Sequence, residues 1–213
     1  MNRPSTVLRI PDLDDRADLG TFVGRAVRLD PMAVVRLRGT PGGRVTAWVT
    51  TPFDVLATRS VPGSLDPGDV TAPATTLLTA LSVDRAEAVD PGAGGLWQGL
   101  LPPADGWSMV DAVPAAELES LTDRGLALAR ESAGPLGPPA SLLDQTVLTV
   151  SGGASPSVKV PLRCLFALSG MGFVGAGEAG EIVRVSATSS WMRLDARYGA
   201  VVRRRVTALP LLT

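Results

Sequence analysis

AVVRLRGTPGGRVTAWVTT, residues 33–51, predicts a β-hairpin. Residues 33–38 and 44–51 are rich in β-branched and apolar side chains, which favour strands. The TPGG sequence between them, residues 40–43, is typical of a turn, because proline and glycine supply the backbone angles that a chain reversal needs. Residues 53–61, FDVLATRSV, continue the pattern and predict a third strand.

A helix is predicted on the N-terminal side of the hairpin, over residues 12–30. Asp12 or Asp14 can cap its start, and acidic side chains suit the positive end of the helix dipole. Pro31 ends it. Apolar residues recur at helical spacing between these limits: Leu19, Phe22, Val23, Ala26 and Val27.

Further along the chain, the stretches of sequence that indicate helices and strands are shorter. Residues 74–81 and the segment after Pro114 predict two more helices, whereas residues 62–72 are rich in Pro, Gly and Asp and predict a loop. The nearly continuous apolar run at 160–173 predicts a segment buried on most sides. Strands are expected at 182–187 and 200–207, and residues 190–198 suit either a short helix or a strand.

The predicted fold class is α+β, because strand signals cluster in pairs instead of alternating with helices. We expect a mainly antiparallel sheet of about five strands with three to four helices. A weak echo between residues 33–47 and 200–208 raises the alternative of two pseudo-symmetric halves. A single domain is expected over 1–213, with subdomains 1–133, acidic, and 141–213, the basic tail.

Composition excludes several kinds of chemistry. The 213 residues include no histidine and one cysteine, so a Ser-His-Asp triad, a His-ligated metal, an intramolecular disulfide and a CxxC pair are all excluded. Cys164 lies among apolar residues and is expected to be an inert buried thiol. No cofactor and no metal site are predicted. Nineteen arginines against one lysine indicate a GC-rich genome.

Location is predicted from what the sequence lacks. No apolar run reaches the roughly 18 residues that a transmembrane helix needs, and the N-terminal residues show no apolar signal-peptide core. One cysteine fits a reducing compartment, and a disulfide-free exported protein would also fit that count. We therefore expect a cytoplasmic protein that does not bind membranes.

Charge is distributed unevenly along the chain. Residues 1–157 carry a net charge of −6 and residues 158–213 a net charge of +5. The two segments can pair within one fold, and the tail can form a solvated edge strand whose charges resist aggregation. Alternatively, the tail binds a protein partner or nucleic acid, since arginine neutralises phosphates and aromatic rings stack on bases. The candidate residues are Trp191, Arg193, Arg197, Tyr198, Arg203, Arg204 and Arg205.

GMGFVG, residues 170–175, has the GxGxxG spacing of a dinucleotide-binding loop, and Asp195 follows its last glycine by 20 residues. This interpretation predicts a cofactor-binding set of Gly170, Gly172, Gly175 and Asp195. The alternative is a helix end followed by a glycine-rich loop. It is favoured by the glycines after the motif and by the short remaining chain.

A second candidate surface is apolar. The loop at 96–107 carries Trp97, Leu100, Leu101 and Trp107. Large apolar side chains in a loop either fold back over the core or form a hydrophobic interface with a partner.

No local motif identifies a catalytic centre. The neighbouring carboxylates are Asp14/Asp15, Glu117/Glu119 and Glu178/Glu181, and none has a spacing that specifies acid/base chemistry. Enzyme activity is therefore left open.

The leading hypothesis is a non-catalytic interaction protein that self-associates, with a homodimer as the simplest form, or binds a protein partner. The first alternative is a nucleic-acid-binding module that uses the C-terminal arginines. The second is a dinucleotide binder or enzyme that uses the Gly170–Gly175 loop.

Overall fold

A computed structural model describes residues 6–83, 88–92, 94–132, 134, 138–152, 157–175 and 180–205. These residues form helices and mainly antiparallel sheets, so the predicted α+β class is confirmed. The chain divides into two compact units. Unit 1 is Met1–Leu100 with Gly170–Gly172, and unit 2 is Leu101–Ser169 with Phe173–Thr213.

The described residues of unit 1 form a four-strand array in the order β6-β2-β3-β4, a small sheet in the order β5-β1-β7 and two helices. Its elements are β1 (Val7–Arg9), α1 (Leu13–Leu29), β2 (Val34–Thr40), β3 (Arg44–Thr51), β4 (Val55–Pro62), β5 (Ser64–Asp66), β6 (Asp69–Pro73), α2 (Ala74–Val83) and β7 (Ala88–Val89).

Helix α1 begins and ends where its sequence predicts. The carboxylate of Asp12 accepts hydrogen bonds from the backbone N–H groups of Asp14, 2.9 Å, and Asp15, 3.0 Å, and so caps the first turn. The apolar face of α1 is buried and packs against α2, β3 and β4. Buried Arg16 donates to the carbonyl oxygens of Ala80 and Leu81, groups at the C-terminal end of α2 that the helix itself leaves unpaired.

In unit 2, the part of the chain that the structure describes forms a second four-strand array in the order β13-β12-β11-β8, a β9-β10 pair and three helices. Its elements are β8 (Ser108–Pro114), α3 (Ala115–Glu131), α4 (Ala140–Leu143), β9 (Thr146–Val150), β10 (Val158–Pro161), α5 (Leu162–Gly170), β11 (Ile182–Ala187), β12 (Trp191–Ala196) and β13 (Gly199–Arg204).

The same local arrangement occurs twice. A helix leads into a three-strand antiparallel meander, as α1 into β2–β4 and α5 into β11–β13. A fourth strand, β6 or β8, pairs with the first strand of the meander, ends at Pro73 or Pro114, and continues directly into a helix. The pseudo-symmetric arrangement is therefore present, although the sequence echo aligns β2 with β13, which occupy different positions in their meanders.

Two local predictions need correction or completion. Residues 62–72 are not a loop, because β5 and most of β6 lie there and pair with β1 and β2. The ambiguous segment 190–198 is mainly strand β12, held between β11 and β13. The last residues of the strand predicted at 200–207, 206 and 207, lie outside the described residues.

The predicted internal boundary at 134–140 lies within unit 2. Residues on both sides of it pack together, since a Cβ atom on Gly125 of α3 would overlap the side chain of Leu162 in α5. The single domain over 1–213 stays a prediction. In the described part of the chain, no helix is long and apolar enough to cross a membrane.

Candidate functional site

An open groove of about 770 Å³ lies in unit 2, on the exposed face of β8, β11 and β12. Side chains alternate along β11, so Ile182, Arg184 and Ser186 face the groove while the residues between them are buried. We call this surface the unit 2 groove. It is lined by Trp107, Met109, Gly180, Glu181, Ile182, Arg184, Ser186, Asp195, Ala196 and Arg197.

Large apolar side chains form one wall of the groove. Met109 is 58% exposed and Ile182 is 48% exposed. Trp107 is half-buried, and its indole N–H donates a hydrogen bond to the carbonyl oxygen of Pro103, 3.0 Å. This bond fixes the ring while leaving part of it at the groove.

The formal charges of the lining cancel, because two arginines and two carboxylates line the groove. Arg193, beside the groove, donates to both oxygens of Asp195 at 2.7 and 2.9 Å. Arg184 lies opposite Asp195 in the sheet register but forms no ion pair or hydrogen bond with a described residue. The lining residues therefore carry no net formal charge, and Arg184 presents an exposed guanidinium at the groove.

Glu181 differs from the other carboxylate of the groove. Its Oε1 atom is buried and accepts no hydrogen bond from any residue that the structure describes. Its backbone carbonyl accepts a hydrogen bond from the N–H of Ala115, 2.8 Å, which fixes the residue at the start of β11. A carboxylate shielded from water on one side, without a donor, favours the approach of a cation.

The tail residues nominated from sequence separate into two groups. Arg197 lines the groove and stacks over the ring of Tyr198, with Cζ 5.4 Å from the ring centroid, and Arg193 pairs with Asp195 beside it. Trp191 instead is only 7% exposed, and Arg204 lies over its ring at 5.9 Å. Of the two aromatic side chains nominated in the tail, Trp191 is thus a core residue, whereas Tyr198 is exposed.

The other two tail arginines hold unit 2 together. Arg205 donates to the carbonyl oxygens of Thr188 and Ser157, both at 2.9 Å. Arg203 lies 3.4 Å from Asp144, which also pairs with buried Arg163 at 2.8 Å. At Asp144, therefore, an acidic residue of the first segment pairs with two cations of the basic tail, as the alternative of internal pairing expects.

The glycine loop follows a helix and precedes a strand. Helix α5 ends at Gly170, and β11 begins at Ile182, whereas a dinucleotide fingerprint runs from a strand into a helix. Gly172 has a φ of +57° and packs against Arg25, whose guanidinium donates to the carbonyl oxygens of Met171, 2.9 Å, and Gly172, 2.8 Å. Asp195 lies in the unit 2 groove, paired with Arg193. The predicted cofactor role of Gly170, Gly172, Gly175 and Asp195 stays a prediction.

Gly172→Ala is expected to lower the free energy of unfolding by roughly 1–3 kcal/mol without any ligand present. The new Cβ would lie 2.7 Å from Cζ of Arg25. The guanidinium can move away only by losing its hydrogen bonds to the carbonyl oxygens of Met171 and Gly172, and this cost adds to that of a positive φ. Gly43→Ala, at φ +71° with nothing within 4 Å, is the control that isolates the backbone cost. Urea denaturation compares the two variants. Equal losses would contradict the packing role of Arg25.

The predicted apolar set falls in both units. Trp97 is half-buried and Leu100 is 68% exposed, and both belong to unit 1. Leu101 and Trp107 are half-buried and belong to unit 2. Of the four, Trp107 lines the groove.

Two of the three carboxylate pairs lie at helix starts, and the third contributes Glu181 to the unit 2 groove. Asp14 and Asp15 accompany the cap of α1, and Glu117 and Glu119 lie in the first turn and a half of α3. Glu178 lies outside the described residues. The described residues hold no group of three or more Cys, Asp or Glu side chains that would suit a metal ion.

Comparison with known families divides the chain close to where the compact units divide. A model described as a domain of unknown function, DUF8010, matches residues 3–97. A second, also described as a domain of unknown function, DUF8185, matches residues 102–208, about half of the chain. The chain belongs to the DUF8185 family. No curated protein matches it.

Solved structures that are similar in fold to this DUF8185 chain include DNA polymerase sliding clamps. Pol III beta of Caulobacter crescentus aligns with a TM-score of 0.57 and 22% identity, over 96% of this chain and 66% of that one. The DNA polymerase sliding clamps of Bacillus subtilis, TM-score 0.59 and 11% identity, and Pseudomonas aeruginosa, TM-score 0.58 and 12% identity, each align over 97% of this chain and 66% of theirs. The chain spans about two thirds of their length, and the likeness is one of fold.

Sequence reasoning missed the residues that complete the groove of the DUF8185 chain. Met109 and Ile182 each stand between a polar residue and a valine, Arg184 stands between two valines, and no local motif joins them. The available signal was alternation: in IVRVSA, residues 182–187, every second side chain is buried, which leaves the others on one exposed face.

Proposed function

We propose that this chain is a non-catalytic interaction protein whose unit 2 groove binds a segment of a protein partner or of a second copy. The observation that carries the proposal is the lining of the groove, where exposed Met109 and Ile182 stand beside Trp107. Exposed aromatic and methionine side chains within a concave surface are enriched where proteins bind one another.

The charges of the groove favour a polypeptide over a polyanion. Two carboxylates offset its two arginines, whereas nucleic-acid sites carry a net positive charge that neutralises phosphates. The tail arginines outside the groove already bind carbonyl oxygens, a carboxylate or an aromatic ring. These contacts favour structural roles for them, and nucleic-acid binding remains the alternative.

The fold is compatible with this role. The solved structures that share it are named as clamps or as a subunit of DNA polymerase, and so belong to larger assemblies. For this chain we extend only the use of the fold as a scaffold for protein contacts. A homo-oligomer and a cytoplasmic location are parts of the proposal.

Light scattering after size exclusion, at 50 and 300 mM salt with absorbance at 260 and 280 nm, tests self-association. If the groove binds a second copy, the wild type is a dimer at both salts and Met109→Asp/Ile182→Asp is a folded monomer. Met32→Asp, at an 84% exposed side chain in unit 1, is the matched control and stays dimeric.

Other outcomes of the same experiment separate the alternatives. A high 260/280 ratio that is lost at 300 mM salt and in Arg204→Glu/Arg205→Glu would favour the nucleic-acid hypothesis. A monomer at both salts excludes self-association, and binding of partner segments then decides the proposal.

A further inference from the structure

The unit 2 groove also indicates the chemistry of what it binds. Resting on the proposed function, we propose that the bound segment is an extended peptide carrying one basic side chain, which pairs with Glu181. A large apolar side chain of the same segment lies against Trp107, Met109 and Ile182.

The argument for a basic side chain begins with Glu181. Its Oε1 atom is buried without a hydrogen-bond partner among the described residues, and the residue lines the groove. Withdrawing a carboxylate oxygen from water without supplying a donor is costly. Oε1 itself is shielded from the groove, so the cation acts on the carboxylate through the part of Glu181 that lines the groove, where its charge offsets that cost. Asp195 does not offer the same opportunity, because Arg193 already donates to both of its oxygens.

The arginines of the groove limit how much positive charge the segment can carry. Arg184 is exposed and has no ion pair with a described residue, and Arg197 lies on the same lining. Both would repel a run of basic residues, and Arg184 would attract a carboxylate. The complementary segment therefore has a single basic residue with neutral or acidic neighbours.

The position of the apolar wall determines how far the large apolar residue of the bound segment lies from its basic residue. Glu181 and Ile182 are consecutive, so their Cα atoms are about 3.8 Å apart. An extended peptide advances roughly 3.3 Å per residue. The basic residue and the apolar residue of the bound segment are consequently expected within about two or three positions of each other.

Phage display of random 12-residue peptides tests this inference on the full chain. Selections are run on the wild type, Glu181→Gln, Glu181→Arg and Met109→Asp/Ile182→Asp. Glu131→Gln, an exposed carboxylate on α3, is the matched control. Selected peptides are synthesised and their Kd values measured by fluorescence polarisation. Circular dichroism melts show whether each variant is folded.

We expect wild-type selections to enrich peptides with one basic residue close to a large apolar residue. Glu181→Gln should weaken their binding by roughly tenfold, Glu131→Gln should leave it unchanged, and Glu181→Arg should shift the enrichment to acidic peptides. Spermidine at 1 mM should not displace the peptides, because it lacks the apolar side chain.

Two results overturn the inference in different ways. Peptides that bind the wild type, lose binding in Met109→Asp/Ile182→Asp and ignore Glu181→Gln would remove the role of Glu181 and leave the proposed function standing. A protein that is monomeric and selects no groove-dependent peptide would remove both. Displacement by spermidine at low concentration would assign Glu181 to small cations instead.

Discussion

Trp191→Ala is expected to lower the free energy of unfolding by about 3–5 kcal/mol, enough to unfold many domains of this size. Trp191 begins β12, is 7% exposed and carries Arg204 over its ring. Truncation removes the largest side chain type from the core and leaves Arg204 without its aromatic support. The loss follows from packing and requires no ligand.

Urea denaturation with circular dichroism measures this effect. Trp191→Phe keeps an aromatic ring and should cost much less than Trp191→Ala. Trp107→Ala, at a half-buried position of the groove, should leave stability nearly unchanged. If Trp191→Ala instead retained wild-type stability and lost affinity for single-stranded DNA, the sequence-based role in base stacking would be the correct one.

Asp144→Ala is expected to destabilise the chain by about 2–3 kcal/mol. Asp144 accepts a hydrogen bond from Nε of Arg163 at 2.9 Å and pairs with Arg203 at 3.4 Å. The Arg163 side chain is only 9% exposed, so removing the carboxylate takes a counter-charge away from a largely buried guanidinium. Asp144 is itself 52% exposed, which keeps the estimate below that for a fully buried pair.

A double variant distinguishes the loss of the charge pair from a simple loss of contacts. Asp144→Ala/Arg163→Met removes both charges, and it should be more stable than Asp144→Ala alone because no buried cation is left uncompensated. Asp144→Asn keeps an acceptor oxygen and should lie between the wild type and Asp144→Ala. A double variant as unstable as the sum of the single changes would contradict this interpretation.

The elements that sequence predicts well are those whose signals are local. Asp12, the apolar repeat from Leu19 to Ala26 and Pro31 together define α1, because capping and helical spacing operate within a few residues. The hairpin of β2 and β3 follows for the same reason, from β-branched strands joined by a Pro-Gly turn.

Elements whose hydrogen-bonding partners lie far away in the sequence were not predicted. β5 and β6 lie in a segment rich in Pro, Gly and Asp, and they are strands because β1 and β2 supply hydrogen-bonding partners. The groove was missed for the same reason, because residues far apart in the sequence form its lining. It unites Trp107 with Arg197, which are 90 positions apart and had been assigned to different candidate surfaces.

Counting charges along the sequence identifies the basic tail but not the groups within the protein that its arginines contact. Sequence assigns the same charge to Arg163, Arg197 and Arg203, yet Arg197 lines a groove and the other two share a carboxylate. Only the fold determines which cations are already neutralised, and this is why an electrostatic asymmetry of sequence does not by itself identify a binding surface.

The chain has one cysteine, and Cys164 is 1% exposed within α5, where burial raises the pKa of its thiol to about 12. Thiol-reactive dyes attack the thiolate, so the folded protein should be nearly inert to them. A cysteine introduced at Ser186 would therefore be the one site that takes a fluorophore, which places a reporter in the groove without any change to the native thiol. Labelling of Cys164 itself would then measure how often α5 opens.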